Sequence, residues 1–216
     1  MSNQPLLSWL LIVVEVSATL AFALSGLLEA ARKRLDAVGV CLVAGLAAFG
    51  GGTLRDLLLD RRPFVWVAHS EWLWVLLILC AAAMALLRAR HFAPTERAMQ
   101  WPDALGLGLF SASGTQLALA QDLPGIVAVL MGVITATFGG VLRDIVCNEI
   151  PTALRDHRPY AICAFAGSWL LVLTQQAGIS QEWGLVLAAA TASGLRVLTL
   201  MTGYTLPRWS SGKDVE

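Results

Sequence analysis

Gly51-Gly52-Thr53-Leu54-Arg55-Asp56 and Gly139-Gly140-Val141-Leu142-Arg143-Asp144 are two copies of one motif, 88 residues apart. The same offset, without a gap, carries Phe22 onto Phe110, Ser25-Gly26 onto Ser113-Gly114, Ala48 onto Ala136 and Pro63 onto Pro151. Both copies lie inside long apolar stretches. Glycines and an Arg-Asp pair repeated in such surroundings point to a membrane pathway built from two halves.

Composition agrees. Of 216 residues, 57% are hydrophobic and only 14% are charged, and the mean hydropathy is +0.69. A soluble domain carries about a quarter charged residues. The surplus apolar surface must face lipid, so the chain reads as an all-α polytopic membrane protein. Its 15 basic and 15 acidic residues cancel, and nothing in that balance points to nucleic acid. Cys41, Cys80, Cys147 and Cys163 have no close spacing and read as packing residues, with no metal site and no cofactor expected. The first apolar run lacks a basic leader and a small-residue cleavage pattern, so it reads as a retained span.

A bilayer core takes about 20 apolar helical residues. Seven stretches qualify: Leu6–Leu28, Ala37–Leu59, Glu71–Leu87, Asp103–Ala120, Pro124–Cys147, Pro159–Gln176 and Trp183–Thr202. Short connections make them one membrane domain. Repeat one covers about 6–90, repeat two about 100–177, the seventh helix about 183–202 and a polar tail 207–216. Three spans per copy is an odd number, so the second copy enters the membrane upside down. The expected fold is an inverted 3+3 repeat plus a seventh helix. Basic residues set the orientation. Arg32, Lys33, Arg34, Arg88, Arg90, Arg97, Arg155, Arg158, Arg208 and Lys213 fall on one side, against Arg61 and Arg62 on the other. The N-terminus is expected outside and the C-terminus in the cytoplasm.

Each glycine inside a helix costs about 1 kcal/mol relative to alanine. Gly50-Gly51-Gly52 in the second span and Gly139-Gly140 in the fifth are therefore expected to break two pore-lining helices. Freed backbone groups at that depth need protein or water partners. The plainer reading of the same residues is close helix packing.

Arg55-Asp56 and Arg143-Asp144 place charge inside spans, where it faces a bundle interior or water. Helix neighbours point about 100° apart, so each arginine is expected to seek a partner elsewhere, from the other repeat or from freed carbonyls. Both pairs are gate candidates; snorkelling to the interfaces is the alternative. Glu15 aligns with Asp103, and the two are candidate cation attractors at opposite mouths, unless Asp103 only caps its helix after Pro102. Ser25 and Ser113 belong to small, polar faces that fit either tight crossing or a hydrated wall. Arg196 pairs internally or snorkels, with a small role at most. Trp66, Trp72, Trp101 and Trp183 sit near span ends, as an interfacial belt does. His69, His91 and His157 lie in or near loops, which argues against an intramembrane base. HExxH, P-loop, GxGxxG and G-x-S-x-G motifs are all missing from the sequence, so no enzyme is expected.

The paired G-G-x-L-R-D segments, Phe22-Ala23-Leu24-Ser25-Gly26 and Asp103-Ala104-Leu105-Gly106-Leu107 resemble the prokaryotic branch of the trimeric intracellular cation (TRIC) channel family. That family is also catalogued under a glycine transporter label. The resemblance runs from about Leu6 to Thr202. It implies seven spans arranged 3+3+1, a homotrimer with a pore in each protomer, kinks at Gly50–Gly52 and Gly139–Gly140, and conduction of monovalent cations, chiefly potassium. It implies a bacterial inner membrane, with lipids as the surroundings. Two positions depart from the pattern: Glu15 stands where an aspartate is usual, and Phe138 stands opposite Gly50. Three functions remain open: a passive cation channel, a carrier for glycine or another small zwitterion, and an assembly protein with no pathway. Saturable, substrate-dependent flux separates the second from the first.

Overall fold

A computed structural model describes residues 4–90, 95–155 and 159–207. Among them are nine helices: α1 (Gln4–Arg32), α2 (Ala37–Leu58), α3 (Val65–Ala68), α4 (Glu71–Arg90), α5 (Glu96–Leu119), α6 (Gly125–Val146), α7 (Thr152–Arg155), α8 (Ala161–Gln176) and α9 (Gln181–Thr202). His91, His157, Arg158 and the tail carrying Arg208 and Lys213 lie outside the described residues. Local chemistry marks several ends. Asp36 caps α2 by accepting from the Gly39 N–H at 2.8 Å. Gly203 closes α9 in the left-handed region, with φ 68°, where a side chain would be strained.

Each expected span coincides with a helix. The largest displacement is at the fourth. Asp103 does not begin that helix: Thr95 caps α5, accepting from Ala98 N at 3.2 Å, and Pro102 lies inside it. A proline is a legitimate start signal because its missing N–H costs nothing in a first turn. Here a better capping side chain seven residues upstream took over, which puts Asp103 in mid-helix and buries it.

The chain is an all-helical integral membrane protein. α1, α2, α6 and α9 are long and apolar enough to cross a bilayer, while the apolar stretches of α4 and α8 are shorter. α5 is the least apolar of the long helices for a reason visible in its packing. It lies at the centre, against α1, α6, α8 and α9, and fifteen of its residues are buried. A helix that meets protein on most sides needs small residues rather than oily ones. The space around its glycines shows this directly. A Cβ at Gly106 would stand 2.6 Å from the Phe22 ring, and one at Gly108 would stand 2.5 Å from the Ala189 carbonyl oxygen. The small-residue face of α5 is thus a tight crossing rather than a hydrated wall.

The repeat is visible in the packing. α6 begins and ends 88 residues after α2. Gly26 of α1 abuts Ala44 and Ala47 of α2, and Gly114 of α5 abuts their counterparts Gly132 and Thr135 of α6. Between the copies the contacts are reciprocal. A Cβ at Gly51 would stand 2.1 Å from the Thr135 carbonyl oxygen, and one at Gly139 would stand 2.3 Å from the Ala47 carbonyl oxygen. Phe22 stacks on its own counterpart Phe110, ring centroids 5.5 Å apart.

These contacts overturn one expectation. α2 and α6 run unbroken through Gly50, Gly51, Gly52, Gly139 and Gly140. The glycines do not open the helices. Gly51 and Gly139 let two backbones approach to a distance no side chain would allow.

Candidate functional site

Near the C-terminal end of α2, the Arg55 side chain is 1% exposed. Its Nε donates to Asp56 Oδ1 at 2.9 Å, and its Nη1 donates to Glu15 of α1. Near the C-terminal end of α6, Arg143 is equally buried. Its Nε donates to Asp144 Oδ1 at 2.8 Å, and its Nη1 donates to Asp103 of α5 at 2.5 Å and to Ser25 of α1. The wiring is the same in both copies, and in both the acid lies 40 residues before the arginine.

One alternative falls here and one expectation changes. Snorkelling does not occur, because each guanidinium finds two carboxylates inside the protein. And the adjacent Arg and Asp do pair. Their Cβ atoms diverge, but the arginine side chain is long enough to fold back onto its neighbour. Glu15 and Asp103 accordingly hold the arginines inside the protein, Asp103 being almost fully buried and Glu15 16% exposed. Ser25 joins the α6 cluster from the other repeat. Its counterpart Ser113 does not join the α2 cluster; its hydroxyl faces the Phe110 carbonyl of its own helix at 3.5 Å.

The surroundings of the two clusters differ. Asp144 Oδ2 accepts from the Thr152 backbone N–H at 2.7 Å and the Thr152 hydroxyl at 2.9 Å, so the start of α7 ties it down. Tyr160 is buried beside Gly140 and Asp103. In the first copy Phe64 and Trp72 stand at the positions of Thr152 and Tyr160. Asp56 gains only Arg61, whose Nη1 is 3.6 Å away and whose side chain is 39% exposed. A cavity of ≈ 20 Å³ lies there, lined by Glu15, Thr19, Thr53, Arg55, Asp56 and Trp66 among others. That is room for about one water among polar partners. The Trp66 indole donates to the Thr53 hydroxyl across it, at 3.1 Å.

Thr152 and Tyr160 were not singled out from the sequence, and Arg61 counted only towards orientation. Thr152 and Tyr160 lie beyond Pro151 at positions where the two copies differ, and no repeat flags them. Arg196, expected to matter little, is 1% exposed and stacks on Tyr160, its guanidinium carbon 4.8 Å from the ring centroid. The four cysteines are all free, and no group of three or more metal-ligating side chains occurs among the described residues.

The arrangement is a pair of buried clusters, each an arginine between two carboxylates, carried on two abutting helices. Comparison with known proteins follows the two copies. A family model described as "Glycine transporter" matches residues 12–90 and again 100–176, once on each copy. A UPF0126 membrane protein of Vibrio cholerae is 33% identical over 94% of this chain and 84% of its own. The UPF0126 inner membrane protein YadS of Escherichia coli K12 is 33% identical over 91% of each. Among solved structures, the TRIC trimeric intracellular cation channel orthologue from Rhodobacter sphaeroides superposes with a TM-score of 0.82 at 33% identity, covering 90% of this chain and 98% of that one.

Proposed function

The chain belongs to the TRIC channel family, matched by its glycine transporter description, and on that premise we propose that it is a membrane cation channel with one pathway in each protomer. The observation that carries the reading is the doubled cluster. Glu15–Arg55–Asp56 and Asp103–Arg143–Asp144 repeat one wiring on two helices that cross at Gly51 and Gly139. A pathway between α1, α2, α5 and α6 meets one cluster towards each end. Carboxylates there attract cations, and the arginines hold those carboxylates until a cation competes for them.

Seven spans, with α1, α2 and α4 inverted relative to α5, α6 and α8, suit this pathway. The reciprocal contacts of Gly51 with Thr135 and Gly139 with Ala47 favour that inversion, since a two-fold axis is what makes contacts reciprocal. With the N-terminus outside, Arg55 lies towards the outer face of a bacterial inner membrane and Arg143 towards the cytoplasm. The working assembly is a homotrimer in lipid, and the permeant ion is monovalent, chiefly potassium. Because α2 and α6 are unbroken, opening requires the clusters to part rather than a helix to unwind.

The test is flux into liposomes holding the purified protein, under a potassium gradient and, separately, a glycine gradient. Potassium current without glycine is the expected result. Saturable glycine uptake without bulk cation current would replace the channel with a carrier using the same clusters.

A further inference from the structure

The α2 cluster is neutral in sum. Glu15 and Asp56 face Arg55 and Arg61. The α6 cluster is not: Asp103 and Asp144 face Arg143 alone. The position equivalent to Arg61 holds Glu149, which pairs instead with Lys33 and lies 3.5 Å from Arg32. One negative charge therefore remains uncompensated within the repeat, at a site where every partner is buried. A buried charge of that kind needs a compensating one.

A third fully buried arginine comes from outside the repeat. Arg196 sits on α9, the helix without a counterpart. Arginine stays protonated in such surroundings. Its Nη1 donates to the Pro159 carbonyl at 3.3 Å, while its Nε and Nη2 have no hydrogen-bond partner among the described residues. The guanidinium lies over the Tyr160 ring. The Tyr160 hydroxyl is on the cluster side: a Cβ at Gly140 would stand 3.2 Å from it and 3.6 Å from Asp103 Oδ1. Tyr160 thus meets Arg196 through its ring and the cluster through its hydroxyl. Arg196 compensates the cluster through space, without occupying the carboxylates.

We infer that Arg196 sets the cation affinity of the α6 cluster, holding its Asp103–Asp144 pair weakly attractive to a small inorganic cation instead of strongly so. This rests on the channel reading for its purpose, though not for its test. At an effective dielectric near 20, like charges on either side of a single aromatic residue repel enough to change an affinity by roughly tenfold or more. Loss of the Arg196 charge therefore tightens cation binding by about tenfold. Loss of the ring has the opposite sign: in Tyr160→Leu, Arg196 reaches the carboxylates directly and displaces the cation.

The experiment is the potassium dependence of thermal unfolding, at constant ionic strength with N-methyl-D-glucamine as the replacement cation, alongside the half-saturating potassium concentration for liposome current. The full chain is compared with Arg196→Gln, Arg196→Lys and Tyr160→Leu. Expected are a fall of about tenfold in half-saturating potassium for Arg196→Gln, near-normal behaviour for Arg196→Lys, which keeps the charge over the ring, and a rise for Tyr160→Leu. An unchanged potassium dependence in Arg196→Gln overturns the inference, as do shifts of the same sign in Arg196→Gln and Tyr160→Leu. Should Arg196→Gln not fold, Tyr160→Leu decides by its sign. A wild-type protein that binds potassium but carries no current would remove the channel reading and leave the Arg196 inference standing on the unfolding data.

Discussion

The two charge clusters share a wiring and differ in how firmly they are held. In the α2 cluster, Asp56 is served by Arg55 and a half-exposed Arg61, and Glu15 keeps some contact with the outside. In the α6 cluster, Asp144 has three donors, Ser25 braces Arg143 from the other repeat, and Tyr160 covers Asp103. The difference comes from a few substitutions: Phe64 for Thr152, Trp72 for Tyr160, and Arg61 for Glu149. Duplication supplies two equal sites. Short-range chemistry beyond the repeated motif makes one of them loose and the other rigid.

That contrast is open to direct attack. The largest effect is expected from Arg143→Met, which strands Asp103 and Asp144 without a cation. Breaking a buried pair from one side costs about 3–5 kcal/mol. Arg55→Met should cost visibly less, because Glu15 is reachable by water and Arg61 can move onto Asp56. Thermal unfolding in detergent measures both, and equal losses would abolish the distinction between the clusters.

Next come the glycines. Gly51→Ala and Gly139→Ala push a methyl against a backbone carbonyl, and overpacking of this kind costs about 1–3 kcal/mol. Gly52→Ala meets only Arg55 Nη2, 3.9 Å away, and should be nearly silent in unfolding. A Gly52→Ala loss as large as that at Gly51 would argue for a backbone role over packing.

Thr152→Val removes one of the hydrogen bonds to Asp144, at a cost of about 1–2 kcal/mol. Its channel phenotype should be a raised open fraction with unchanged single-channel conductance, read in planar bilayers. A change in conductance alone would mean that Thr152 lines the pathway instead of restraining it. The smallest effect belongs to the serines. Ser25→Ala should shift unfolding measurably, whereas Ser113→Ala, without an arginine to brace, should stay within about 0.5 kcal/mol of wild type.

Much of the architecture was legible because the repeat and the apolar stretches speak in backbone terms. Helix ends at Ala37 and Thr202 and the correspondence of α2 with α6 follow from pattern alone. Asp103 was misplaced because a proline and an acid form a plausible start, whereas the Thr95 cap and the burial of Met99 and Gln100 make α5 longer. The site residues Arg55, Asp56, Arg143 and Asp144 stood out as charges in apolar surroundings. Their wiring did not. Arguing from Cβ directions overlooks the reach of an arginine, and no periodicity signals a side chain that folds back. Gly51 and Gly139 illustrate a related ambiguity, since the same residue that loosens a helix also lets two helices touch. Thr152, Tyr160 and Arg196 were invisible as partners because they come from α7, from the residue before α8 and from α9, beyond the reach of the motif's own pattern.

The stacking of Phe22 on Phe110 carries a consequence for the ancestry of such a chain. A residue that touches its own counterpart lies on the axis relating the two halves, and the Gly51 and Gly139 contacts make the surrounding surface self-complementary. Each half offers the other what a subunit offers its twin. Under the proposed inversion, a polypeptide holding one copy alone would bury this surface by dimerising with a second molecule inserted the opposite way. Fusion of two such genes removes the need for dual insertion and frees each copy to change independently, as Thr152 and Phe64 already have.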